Sequence, residues 1–227
     1  MVVPLSDTTE TPALPGDALR ERIVDQLRSA LGDALLEVEL KPGLDLWVRV
    51  RTDAWRLAGE TLRDVAGCHH FCFLSAIDWM PSPFGRGEDD PTQPAPERST
   101  EIRHGVTGGE TRMQVFARVT NIDLHVGVTV KADVPDDDPV VDSWISLYAG
   151  ANWHERETHE MFGIGFAGHP DLRNIYLPTD FEGFPLRKDF PLLARIIKPW
   201  PGIADVEPLP GEGDAAGEGD GSSEEGA

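Results

Sequence analysis

Two histidines bracket the run His154-Glu155-Arg156-Glu157-Thr158-His159, and histidines flanking a glutamate invite a zinc-hydrolase reading. That chemistry needs the two ligands four residues apart, so that both imidazoles leave one face of a helix and the glutamate between them can act as base. Here they are five apart, which is about 140° around a helix that turns roughly 100° per residue. The run reads better as a charged helix face. A second cluster, Cys68-His69-His70-Phe71-Cys72, packs four possible ligands into five residues. A structural zinc site needs its remaining ligands elsewhere, and there is no third cysteine. Ligation of an iron–sulfur cluster by four thiolates is thereby excluded. Cys72 falls in an apolar, strand-like run, where a buried thiol is ordinary. No G-x-G-x-x-G follows a strand, no phosphate loop is present, and Gly105 to Gly109 sits in a polar stretch with no helix behind it. A serine nucleophile elbow is absent as well. Asp78, beside Trp79, reads first as a turn former at a strand end.

The densest mixture of charge, aromatics and backbone punctuation is Asn152 to Pro191. Glu155, Arg156, Glu157 and Glu160 come first, then an apolar run broken by Gly163, Gly165 and Gly168. His169-Pro170 opens a second run through Arg173 and Gly183 to Pro185-Leu186-Arg187-Lys188-Asp189-Phe190-Pro191. If residues 153 to 162 are helical, Arg156 and Glu160 form an i, i+4 pair. Glycines and prolines then forbid a long helix. The result is one short charged helix and an extended, turn-rich segment that builds no core of its own and must lie on its own sheet or on another protein. The acids and bases serve either as an internal network bracing a bend or as an interface code in which Arg173, Arg187 and Lys188 meet a partner's carboxylates, the planar Arg fork suiting bidentate pairing. A mixture fits best, with His169-Pro170 fixing the bend and the later run reaching the partner.

This stretch resembles the signature of the 30 kDa-type subunit of respiratory complex I, the C-type subunit of bacterial NADH-quinone oxidoreductase. Glu155-Arg156-Glu157, Glu160, Met161-Phe162, His169 and Arg173 fill every fixed place of that signature, and Glu182, Gly183 and Pro185 to Pro191 match the run that follows it. Family members often carry Trp and His where this chain has Phe181 and Phe184, and Asp at the place of Glu160. The resemblance implies a subunit with no catalytic centre, cofactor or metal of its own, within a proton-translocating enzyme that passes electrons from NADH through FMN and iron–sulfur clusters to a quinone. It implies packing against the 49 kDa-type, or D-type, subunit and near the quinone-proximal cluster subunits. An equivalent subunit of a ferredoxin- or reduced-deazaflavin-linked quinone oxidoreductase, or of a membrane-bound hydrogenase, is the alternative.

The chain has 227 residues and a formal charge of −20. Such acidity argues against nucleic acid and against an anionic membrane surface. No run of about 18 apolar residues is present, so membrane contact would be indirect, through a complex on its cytoplasmic side. The N-terminus has neither the basic start nor the apolar core of a signal peptide, and two cysteines suit a reducing compartment.

The elements that must position the signature follow from periodicity. Residues 1–15 read as a disordered lead. Asp17 caps a helix to Ala30, with Leu19, Ile23, Leu27 and Leu31 on one stripe. Strands follow over 34–40 and 44–50, then a helix from Asp53 to Ala66 and a strand over 70–79. Residues 81–110 read as an exposed loop insertion. Two alternating strands come next as a hairpin turning at Thr120-Asn121, with Ile122 and Leu124 opening the second strand. Ser143 then starts a helix through Tyr148. The fold class is α+β, a mixed, largely antiparallel sheet with helices packed on one face and an extended C-terminal segment. In domain terms, 16–151 is the α+β body, 152–206 the signature helix and partner-binding segment, and 207–227 a disordered acidic tail.

Overall fold

The computed structural model describes residues 15–83 and 99–191. The first helix, α1, spans Pro15–Leu31. Its stripe is buried at Ile23, Leu27 and Leu31, while Asp17 lies within the first turn, not ahead of it, and accepts the Gly43 amide and the Arg20 guanidinium. An acid there still favours the helix, because it faces the positive end of the dipole. Gly32, at φ 53°, ends α1. Strands β1 (Leu35–Glu39) and β2 (Leu46–Val50) form an antiparallel pair. A 3-10 turn at Thr52–Ala54 leads into α2 (Trp55–Asp64). Strands β3 (His70–Asp78), β4 (Met113–Asn121) and β5 (Val126–Val134) complete a sheet of order β1-β2-β5-β4-β3. Only the β2–β5 pairing is parallel, so the sheet is mixed and largely antiparallel.

Period-2 alternation decides which side chains meet the helices. Leu46, Val48 and Val50 of β2 lie opposite Val128, Val130 and Ala132 of β5. The same face continues through Val115, Ala117 and Val119 to Leu74 and Ala76, all buried in one core with Ile23, Leu27, Trp55, Ala58 and Leu62 of the helices. Trp55 stacks on Trp144 at 4.4 Å between ring centroids.

The second face is not left open where β2, β4 and β5 adjoin. Residues 104–111 fold over it: the Arg49 guanidinium donates to the Thr107 carbonyl at 2.9 Å and to Asp133 at 2.7 Å, and Gln114 and Lys131 donate to the Gly108 carbonyl at 3.0 and 3.2 Å. The described part of the expected 81–110 loop stays largely exposed, Gly105, Val106, Gly108 and Glu110 included, while the buried Thr107 and its neighbours turn backbone carbonyls inward onto buried charges; 84–98 lies outside the described residues. The hairpin turn differs from expectation. It lies at Ile122–His125, because Asn121 Oδ1 accepts the Leu124 amide and His125 takes φ 51°. Ile122 and Leu124 keep the strand's alternation but are exposed.

Beyond the main sheet, β6 (Val140–Asp142) and β7 (Gly165–Ala167) pair in parallel, with α3 (Ala151–Phe162) between them. Residues 143–150 form turns, not the expected helix. Ser143 Oγ accepts the Ile145 amide two residues on, and Leu147 and Tyr148 both donate to the Trp144 carbonyl in a single turn. Tyr148 is then held by its hydroxyl to the Cys68 carbonyl at 2.8 Å.

Candidate functional site

The signature is built on α3, which buries two acids, Glu155 and Glu160. Five positions separate them, about 140° of helix, so their carboxylates enter different walls. Glu155 faces the turn before the helix. It accepts the Ser143 hydroxyl at 2.5 Å and the Trp144 amide at 2.6 Å. Burial pushes its pKa up to about 7, against the pull of these two donors. Glu160 faces the segment after the helix and accepts the amides of Ile175 and Tyr176 at 3.0 Å and of Leu177 at 3.2 Å. Three successive N–H groups around an anion form a nest, here filled by the chain's own side chain.

Arg156 serves the same segment in the opposite sense, donating to the Arg173 carbonyl at 2.8 Å and the Asn174 carbonyl at 3.3 Å. The expected Arg156–Glu160 pair is not made: the acid takes N–H groups and the base takes C=O groups. A segment without a ladder has unpaired backbone polar groups that must be satisfied, and these two side chains supply the partners. Upstream, the His169 ring accepts the Asp171 amide at Nδ1, 3.0 Å away, while Nε2 faces the Asn152 carbonyl at 3.3 Å. Both contacts together require the neutral ring, and burial lowers its pKa accordingly. Pro170 and Arg173 are exposed, and Arg173 pairs with Asp171 at 2.6 Å.

The second half of the signature returns to the end of α3. Gly163 terminates the helix at φ 75°, and a Cβ there would stand 2.5 Å from Arg187 Nη2 and 2.7 Å from the Phe184 ring. Arg187 lies over Phe184, 4.4 Å from the ring centroid, and donates to the Phe162 carbonyl at 2.6 Å. It thus satisfies an acceptor that the helix end leaves free. Gly183, at φ 97°, and the half-buried Pro185 set the path, and the Leu186 amide bonds the Met161 carbonyl at 3.1 Å. The Lys188 amide donates to Asp78 at 2.8 Å, leaving its ammonium group exposed. Glu157 is half-buried on α3.

Asp78 and Arg112 join this framework, and sequence reasoning missed the link. Arg112 forks onto Asp78 at 3.0 and 2.6 Å and reaches Asp189 at 3.0 Å. Burial alone would raise the Asp78 carboxyl; the Arg112 fork and the Lys188 and Met80 amides outweigh it and hold the group below the usual carboxylate range. Asp78 also makes the turn expected of it, through the Met80 amide. The available signal was an arginine one residue before β4, since antiparallel pairing sets Asp78 opposite Met113. The remaining candidates stay apart. His154 and His159 each face a backbone carbonyl, of Leu74 and Ile164. Cys68 is buried, its thiol pushed up to about 11 by burial, while Cys72 contacts Arg118 and Thr120. An open hollow of about 370 Å³ lies beside Trp153 and His154. The arrangement as a whole holds backbone in place: Glu155, Arg156, Glu160 and Arg187 face the chain itself, while Lys188 and Glu182 are exposed.

Residues 48–195 match the family described as respiratory-chain NADH dehydrogenase, 30 Kd subunit. The C-type subunit of NADH-quinone oxidoreductase from Bordetella petrii is 37% identical over 172 residues, covering 75% of this chain and 72% of that protein. The fused C/D-type subunit of the same enzyme from Cronobacter sakazakii is 32% identical over 185 residues, 81% of this chain but only 27% of the fusion. Among solved structures, a chain of the membrane-bound sulfane sulfur reductase, an archaeal respiratory membrane complex, shares the fold with a TM-score of 0.54 at 22% identity, over 77% of this chain and 86% of that one.

Proposed function

Because the chain belongs to the respiratory-chain NADH dehydrogenase 30 Kd subunit family, we propose that it is a non-catalytic structural subunit of the hydrophilic arm of a proton-translocating NADH-quinone oxidoreductase. The observation that carries this reading is the direction of the signature side chains. Glu155, Arg156, Glu160 and Arg187 bond the chain's own backbone, and Arg112 ties Asp78 to Asp189. Residues matched so closely to a family signature thus build a shaped segment, as a scaffold requires. FMN and the iron–sulfur clusters would belong to partner subunits; two cysteines cannot supply a four-thiolate cluster. The fused C/D-type relatives support the 49 kDa-type, or D-type, subunit as chief partner, with the quinone-proximal cluster subunits beside it. Among the described residues no helix is long and apolar enough to cross a membrane, and the proposed location is peripheral, on the cytoplasmic side of the cell membrane.

The test is affinity capture of the tagged chain from solubilised membranes, with mass spectrometry and cofactor analysis. Recovery with the D-type subunit and with NADH- and FMN-binding subunits is expected, and the isolated chain should be colourless. Recovery with hydrogenase or ferredoxin-linked subunits instead would transfer the reading to a related complex, and a stoichiometric flavin, metal or cluster in the isolated chain would overturn the scaffold assignment.

A further inference from the structure

We propose that the seat for this partner is an apolar strip running beside α3, formed by Trp153, Tyr176, Phe181 and Leu186, and that the charged signature residues are the frame behind it. The inference rests on the reading of the chain as a subunit that packs against a D-type subunit, and adds which surface does so and by what chemistry. Trp153, Arg156 and Glu160 share one stripe of the helix, at i, i+3 and i+7. The last two bury their polar ends in the backbone of 173–177, which therefore lies along the stripe. Trp153 is left 72% exposed toward one end of α3, and Tyr176, held by its amide to Glu160 seven residues further along, is 66% exposed. Leu186, 49% exposed, is fixed by its amide to the far end of the helix, and Phe181, 38% exposed, leans on Phe190 with ring centroids 5.9 Å apart.

Single exposed apolar residues are ordinary, but four large ones on a helix about 18 Å long (at roughly 1.5 Å per residue) and on the segment pinned to it are the kind of grouping that marks a protein contact. Two of the four are the residue types that dominate binding energy at interfaces. Backbone bonds already order the strip, so little conformational freedom remains to be lost on docking. The hollow of about 370 Å³ beside Trp153 can take a projecting side chain.

The chemistry also selects the occupant. Glu155, Glu160, Arg187 and Asp189 are bonded within the chain, and the exposed Arg173 is neutralised by Asp171 at 2.6 Å. Asp180 and Glu182, the chain neighbours of Phe181, and Lys188 stay exposed, so the strip offers apolar shape bordered by charge, as the rim of an interface does. A chain of formal charge −20 is repelled by an anionic membrane, so the occupant is a protein with an apolar groove. The D-type subunit suits it, since in the C/D-type relatives the two are carried on one polypeptide, in fixed proportion.

The experiment co-expresses the full-length tagged chain with the D-type subunit of the same source. It compares wild type, a Trp153→Ser/Tyr176→Ser/Leu186→Ser variant, and a control Val65→Ser/Ile122→Ser variant whose exposed residues lie outside the strip. The triple variant should lose at least tenfold in affinity for the D-type subunit with a melting temperature of the free chain within a few degrees of wild type, and the control should bind as wild type. If wild type captures the D-type subunit and the triple variant binds equally well, the strip is wrong while the subunit reading stands. If wild type captures none of it, the subunit reading itself fails. Hydrogen exchange on the free chain gives a further check. Protection around Trp153 and Tyr176 that disappears on truncation after Pro191 would mean that the chain's own continuation occupies the strip, which overturns the proposal.

Discussion

A carboxyl group buried without a cation must draw on dipoles, and Glu155 and Glu160 do so to different extents. Glu160 has three amides, whereas Glu155 has one amide and one hydroxyl and is pushed up to about 7 by burial. The sign of the resulting pH dependence follows. The unfolded chain loses this proton near 4.5 and the fold keeps it to about 7. In that window the fold binds more protons, so its stability falls as pH rises. A difference of this size corresponds to on the order of 3 kcal/mol, fully expressed above pH 7. Glu155→Gln keeps a neutral group in the same place, so urea melts at pH 5 and pH 8 should show the variant gaining on wild type at the higher pH. A variant that tracks wild type at both values would mean that Glu155 is ionised in the fold throughout. Glu160→Gln should behave differently at neutral pH, because its NH2 end meets backbone donors; a loss of about 1–3 kcal/mol is expected. The motif marks both glutamates. Their separate destinations were contained only in the five-residue spacing, and the nest around Glu160 could not be read, since its donors are backbone groups with no sequence signal.

At the scale of elements, the extended segment is pinned at three points: the Glu160 nest, the end of α3, and Arg112. The sequence placed this segment correctly after a short helix, because glycine and proline there admit little else. It left open which charges turn inward, and the answer depends on a loop arginine and a strand-end aspartate 34 residues apart. Arg112→Met should be the most damaging change, since the Asp78 side chain is wholly buried and would lose the cation that forks onto it. Breaking such a pair costs about 3–5 kcal/mol, and restoring neutrality with Asp78→Asn should recover part of it. Arg187→Ala removes one helix-end hydrogen bond and a ring contact, so a loss nearer 1 kcal/mol, roughly, is expected in the free chain. Equal effects of the two changes in denaturant melts would contradict this ranking. The sheet's second face makes a further case. Lys131 is buried, and burial pulls its pKa down to about 8 from 10.5. Asp133 partly opposes the pull and Arg49 adds to it. Its two acceptors keep other donors, Gly108 from Gln114 and Gln114 from Trp79. Lys131→Met should therefore be neutral or stabilising by about 1 kcal/mol at pH 7. It should also lack the rise in wild-type stability expected between pH 8 and 10.5, where the unfolded chain holds the proton and the fold releases it. A loss above about 2 kcal/mol would show instead that the ammonium holds the 104–111 loop in place.

For the molecule as a whole, the α+β class and the helix and strand order were legible because β2, β4, β5 and α1 carry clean periods and the core needs them. Three-residue strands such as β6 and β7 carry too few positions for any period to appear, and the bonds by which the largely exposed 104–111 loop covers Arg49 and Lys131 come from backbone carbonyls, which leave no sequence signal. Net charge is a property of this scale too. Residues 207–227 hold seven carboxylates and no basic side chain, so their removal takes the formal charge from −20 to −13. Glycine, serine and acids offer little apolar surface to bury, so the effect expected of them is long-range repulsion, which acts within about 10 Å at 0.1 M salt and about 30 Å at 0.01 M. A chain truncated after Val206 should melt within about 2 °C of full length in physiological salt, and at or above it in 0.01 M salt. A lower melting temperature for the truncated chain at both salt concentrations would mean that the acidic residues make attractive contacts with the fold, and the same comparison at high salt would show whether those contacts are ionic.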